Sequence, residues 1–106
     1  MYYIYILRCA DQSLYTGITT NLQRRFAQHS GKFRGGAKYT AVHPPLFFEA
    51  VWQAQDRSSA SRLENRIKKL TRIQKLRLIS GQIPASLCLD DYLRLSDEEL
   101  AQQTTK

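Results

Sequence analysis

Tyr2-Tyr3-Ile4-Tyr5-Ile6-Leu7-Arg8, then Asp11-Gln12-Ser13, then Leu14-Tyr15-Thr16-Gly17, is the stretch that decides the fold of this chain. Aromatic and β-branched residues crowd its first run, which reads as a strand. A polar connection of hairpin length follows, so a second strand, Leu14 to Gly17 or slightly longer, is expected to return antiparallel to the first. Alternation along the first strand puts Tyr3 and Tyr5 on one face and Ile4 and Ile6 on the other. The pairing brings Tyr5 and Tyr15 near enough to share a site.

Working outward, Thr19-Thr20-Asn21 offers an N-cap, and Leu22 and Phe26, four residues apart, predict a helix through His29 that stops near Gly31. Residues 30–39 hold three glycines and no periodicity and read as a loop. After Pro44-Pro45, the residues Phe47, Phe48 and Val51 predict a third strand from Leu46 to Val51 or Trp52. From Ser58 onward, Ala60, Leu63, Ile67 and Leu70 recur at helical spacing. A further helix near Thr71 would use Ile73, Leu76 and Ile79 for its apolar face and end at Gly81. Leu87 to Leu95 is short and mixed, Ser96 to Glu99 resembles a capping box, and Gln102 to Lys106 is expected to fray. The expected fold class is α/β: a small, mainly antiparallel sheet of three strands or slightly more, flanked by helices. Residues 1–81 would form the domain, and residues 82–106 a short acidic extension packed on or trailing it.

Size and charge bound the function. A chain of 106 residues supports one ordinary domain. No apolar run approaches the roughly 20 residues that cross a bilayer, and the N-terminus lacks signal-peptide features, so a cytoplasmic protein without a membrane role is expected. Cys9 and Cys88 are too far apart, and too far from His29 and His43, for a common zinc spacing; both are expected to be reduced and at least one buried. Formal net charge is +7, yet residues 1–81 carry 14 Lys and Arg against 4 Asp and Glu, whereas residues 82–106 carry 2 against 5. A body of that sign concentrates polyanions and releases their counterions on contact, which makes nucleic acid the leading partner; DNA is expected ahead of RNA, a preference that charge does not decide.

Tyr3-Ile4-Tyr5, Tyr15-Thr16-Gly17, Asn21-Leu22, Arg25, His29 and Leu63-Glu64-Asn65 with Ile67-Lys68, in that order, resemble the GIY-YIG nuclease superfamily, and in particular its small stand-alone bacterial members. The resemblance covers roughly residues 2 to 75. Tyr3 stands where the family's first triplet has glycine, and Thr16 where the second has isoleucine. The fold it implies is the one read above, and the implied activity is hydrolysis of a nucleic-acid phosphodiester by in-line attack of water.

Each residue of the set has a chemical rationale beside a structural one. Tyr3 reads best as core. The phenols of Tyr5 and Tyr15 can orient or deprotonate a water, and by resemblance either would do so; a base role needs nearby positive charge, because an ordinary tyrosine titrates at about 10. Gly17 would let a phosphate approach the backbone. Arg25 and His29, one helical turn apart, could reach one phosphate together: Arg25 to neutralise developing charge, His29 to exchange a proton near neutral pH. Arg24 reads as plain surface charge. Glu64 is the only acid between Arg57 and Arg77. It can serve the helix through a pair with Lys68 or a capping box with Ser61, but by resemblance it holds one divalent ion, Mg²⁺ or Mn²⁺, together with waters and phosphate. Lys32, Arg34, Lys38 and Tyr39 in the loop, with Arg66, Lys69, Arg72 and Lys75 on the helices, would carry the substrate with little sequence specificity. The rival from another class is a non-catalytic nucleic-acid-binding module on the same scaffold. A protein-recruiting adaptor would rest only on Asp90, Asp91 and Asp97 to Glu99.

Overall fold

The computed structural model describes residues 1–31 and 43–104. Lys32, Arg34, Lys38 and Tyr39 therefore lie outside the described residues. Four strands, β1 (Tyr2–Cys9), β2 (Leu14–Thr19), β3 (Pro45–Ala54) and β4 (Leu93–Arg94), form one antiparallel sheet in the order β2-β1-β3-β4. The helices described are α1 (Leu22–His29), α2 (Arg57–Lys68), α3 (Arg72–Ile79) and α4 (Asp97–Thr104).

Local chemistry explains most boundaries. Asn21 caps α1 by accepting from the Arg24 amide at 3.0 Å, and Asp56 caps α2 from Ser59 at 2.7 Å. Asp56, not Ser61, thus starts α2, and the capping box suggested for Ser61 and Glu64 does not form because both lie inside the helix. Reciprocal boxes do open the last two helices: Thr71 with Gln74, and Ser96 with Glu99. α4 then holds to Thr104, so that Gln102 to Thr104, expected to fray, are helical, while residues 105 and 106 lie outside the described residues.

The strand alternation gives each face its own apolar cluster. Ile4 and Ile6 meet Ala60, Leu63 and Ile67 of α2, with Ala50 and Trp52 of β3. On the opposite face Tyr3, Tyr5 and Leu7 meet Leu22 of α1, Phe48 and Val51 of β3, and Leu95. Burying each large side chain is worth about 1.5–3 kcal/mol, which holds both layers on the sheet. β3 begins one residue earlier than expected, at Pro45, where a missing N–H is tolerated, and runs on to Ala54. α3 is rotated from the expected phase: Leu78 is buried, while Ile73 is 62% exposed and Leu76 is 37% exposed. Beyond residue 82, Leu87 joins the Ile4 face and β4 pairs with Trp52 and Gln53. Both cysteines are free, Cys9 buried and Cys88 exposed. No described helix is long and apolar enough to cross a membrane.

Candidate active site

The β1–β2 register sets Tyr5 opposite Gly17 and Leu7 opposite Tyr15. Glycine at 17 has a steric cause: a Cβ there would stand 2.5 Å from the Tyr5 hydroxyl and 2.7 Å from its Cζ. The space that the sequence suggested for a phosphate is thus filled by the Tyr5 phenol. The Tyr5 and Tyr15 rings lie 6.5 Å apart, and the His29 ring meets both edge-on, at 5.8 and 5.3 Å. Tyr5, Tyr15, Arg25 and His29 therefore do form one cluster.

The cluster's hydrogen bonds assign its protons. Tyr5 is completely buried, its hydroxyl oxygen 2.7 Å from His29 Nε2 and 3.3 Å from Arg25 Nε. A guanidinium can only donate, so the Tyr5 oxygen accepts from Arg25. The arrangement that then uses the phenolic proton has Tyr5 donating to His29 Nε2, which makes His29 a neutral imidazole with its proton on Nδ1. Electrostatics agree. Burial first, and the Arg25 charge second, push His29 down to about 4. Burial lifts Tyr5 to about 12 against the pull of Arg25, with Tyr15 and Glu64 adding to the rise. The expectation that His29 titrates near neutral pH is corrected accordingly, because a dry pocket beside a guanidinium disfavours a second positive charge.

Arg25 also donates from Nη1 to Gln28 Oε1 at 3.1 Å, so the guanidinium is held at both ends. Tyr15 is only partly buried and is the phenol of the pair nearer to solvent. Glu64, on α2, lies close enough for its charge to act on Tyr5, and its carboxylate meets Lys68 Nζ at 3.2 Å. Lys75 lies near both Lys68 and Arg72: burial and then the charges of Arg72 and Lys68 hold its ammonium below its usual range. Arg66 and Lys69 are exposed, and Arg72 donates to the Gln12 carbonyl at 2.8 Å.

A divalent ion at this site would find one carboxylate of the chain within the set named by the sequence, that of Glu64. Among the described residues no three His, Cys, Asp or Glu side chains gather as ligands, so Glu64 would be a single carboxylate sharing an ion with water and substrate oxygens. Its partner Lys68 is a half-exposed side chain that can yield to such an ion. Two residues the sequence reading did not place here, Arg24 and Arg57, share a groove with Arg25 beside the cluster. No spacing in the sequence marks Arg57, which only folding brings into the groove that Arg24 and Arg25 line. The Thr16 hydroxyl, buried on the Ile6 face, has no hydrogen-bond partner among the described residues.

Known proteins place the chain. The family model described as the GIY-YIG catalytic domain matches residues 1–77. The UPF0213 protein OB0043 of Oceanobacillus iheyensis is 49% identical over 82 residues, covering 76% of this chain and 92% of that protein. The UPF0213 protein YhbQ of Salmonella arizonae is 48% identical over 82 residues, with 76% and 79% covered. The UPF0213 protein BH0048 of Bacillus halodurans, solved by solution NMR, is 44% identical across 76% of this chain and 84% of that one, with a TM-score of 0.49.

Proposed function

The chain belongs to the GIY-YIG catalytic domain family, and from that premise we propose that it is a metal-dependent nuclease cutting phosphodiester bonds, in DNA ahead of RNA, without strong sequence specificity. The observation that carries the reading is the buried Tyr5–His29–Arg25 network beside the partly exposed Tyr15. A network of that kind is dry, fully partnered and held by two helical side chains one turn apart. It is suited to fixing one guanidinium in place.

The geometry supports one role for each residue. Tyr5, neutral up to about pH 12 and engaged on both sides, is a positioning residue that holds Arg25 and His29. Tyr15 orients the attacking water, because its ring borders the cluster and is only partly buried. Arg25 stabilises the charge that builds on the phosphoryl oxygens in the transition state. His29, neutral, accepts the Tyr5 hydroxyl hydrogen bond at Nε2 and so fixes the phenol against Arg25. Glu64 would hold one Mg²⁺ or Mn²⁺, which supplies Lewis-acid neutralisation of phosphate charge when bound. Arg66, Lys69, Arg72 and Lys75 carry the flanking backbone.

Cleavage of labelled single-stranded, duplex and branched DNA and RNA, with Mg²⁺ or Mn²⁺ and with chelator, tests this in the wild type and in Glu64→Gln. Losing one electrostatic contributor of this kind typically costs about 10²–10³ in rate. Cleavage that disappears in Glu64→Gln while binding persists is the expected result. Binding without cutting by the wild type across the panel would favour the non-catalytic module instead.

A further inference from the structure

At the end of the β1–β2 hairpin away from its turn, Tyr2, Thr20, Asn21, Arg24, Arg25 and Arg57 line an open groove of about 570 Å³. Three of its lining side chains are guanidinium groups and none is a carboxylate. The ion pairs Arg8–Glu49, His43–Asp11 and Lys68–Glu64 lie outside its lining. Like charges gathered in one groove repel one another, and an arriving anion relieves that repulsion. The forked, always-charged guanidinium matches a phosphate in particular.

Its position along the hairpin gives the groove a direction. Tyr3 pairs with Thr19 at the groove end, and Arg72 donates to Gln12 at the turn end. The Tyr5–Gly17 and Leu7–Tyr15 pairs lie between them. From Thr19 to Leu14 the strand spans roughly 17 Å at about 3.4 Å per residue, comparable to the axial rise of about five base pairs. Arg25 belongs to both places, since it lines the groove and donates to Tyr5.

We propose that this groove seats the sugar–phosphate backbone on one side of the scissile phosphate, with Arg24 and Arg57 each meeting a phosphate, so that the substrate runs lengthwise along the β1–β2 edge toward Arg72. The proposal rests on the nuclease reading and extends it from a cluster of residues to a path for the strand.

Fluorescence anisotropy with labelled single-stranded and duplex DNA, in a Glu64→Gln background so that the probe stays intact, measures affinity across a salt series. Arg24→Gln combined with Arg57→Gln should weaken binding about tenfold or more and lower the slope of log affinity against log salt by roughly 1.4 on single strands and 1.8 on duplex, for two lost phosphate contacts. Arg62→Gln with Arg77→Gln removes equal charge away from the groove and should change the slope far less. An unchanged slope in the groove variant, an equal change in the control pair, or no binding by the parent would each overturn the proposal. Should the wild-type protein cut while the groove variant keeps its slope, the path fails and the nuclease reading stands; should it fail to cut while the slope drops, the groove stands as a backbone site without the chemistry.

Discussion

The two faces of β1 are equally dry and chemically unlike. Ile4 and Ile6 are sealed against the aliphatic residues of α2, while Tyr5, no more exposed than they are, is sealed against α1 with its hydroxyl bonded to a histidine and an arginine. The first face stabilises by area removed from water, without regard to direction. The second spends its burial on fixing protons and a charge, which is favourable only because every polar atom finds a partner. Thr16 makes the contrast sharper: on the aliphatic face a buried hydroxyl is left unpartnered among the described residues, whereas the Tyr5 hydroxyl has two partners. Burial therefore does not separate scaffold from site in this molecule; directed hydrogen bonding does.

The largest expected effect tests the scaffold face. Ile6→Ala should cost about 2–5 kcal/mol in urea unfolding, with cleavage per folded molecule retained; equal loss of activity and stability would erase the distinction between the faces. Acid should discriminate next. The folded-state value of His29, about 4, lies below its ordinary 6.5, so the unfolded chain takes up the proton first as pH falls. Stability from this group is complete above about pH 6.5 and is lost progressively toward pH 4, by at most roughly 3 kcal/mol. A melting temperature that declines over that window in the wild type and in Ile6→Ala, but not in His29→Asn, would tie the effect to the α1 face, and a flat wild-type curve would sever it. Gly17→Ala should cost roughly 1–3 kcal/mol, because the new Cβ must displace the Tyr5 ring. Its cleavage rate should fall by more than its stability, since moving Tyr5 moves Arg25; activity that merely tracks the folded fraction would make Tyr5 ordinary packing.

The sequence carries these two faces unevenly. The hairpin, α1 and α2 are legible because alternation and helical spacing are strong in them, and the ordered tyrosines, Arg25, His29 and Glu64 are legible as a set. The phase of α3 is not: eight residues make barely two turns, and whether Ile73 or Leu78 turns inward is decided by the Ile4-face cluster that Leu78 joins. β4 is a two-residue ladder with no periodicity to read. Within the site, residue types are visible but protonation is not, because the shifts of His29 and Tyr5 come from burial that exists only after folding. Gly17 shows the same limit. Its conformation is open to any residue, and its reason for being glycine lies across the ladder in Tyr5.

The brevity of β4 bears on solubility. An outer strand with free amide and carbonyl groups is a template on which a neighbouring molecule can add its own strand. Leu93 and Arg94 occupy that position beside Trp52 and Gln53, and the Leu95 amide takes the Val51 carbonyl at 2.9 Å. The other end of β3 starts with a proline that has no amide hydrogen to offer. Three residues of a returning chain thus guard Val51 to Gln53 of β3 against growth into an intermolecular sheet.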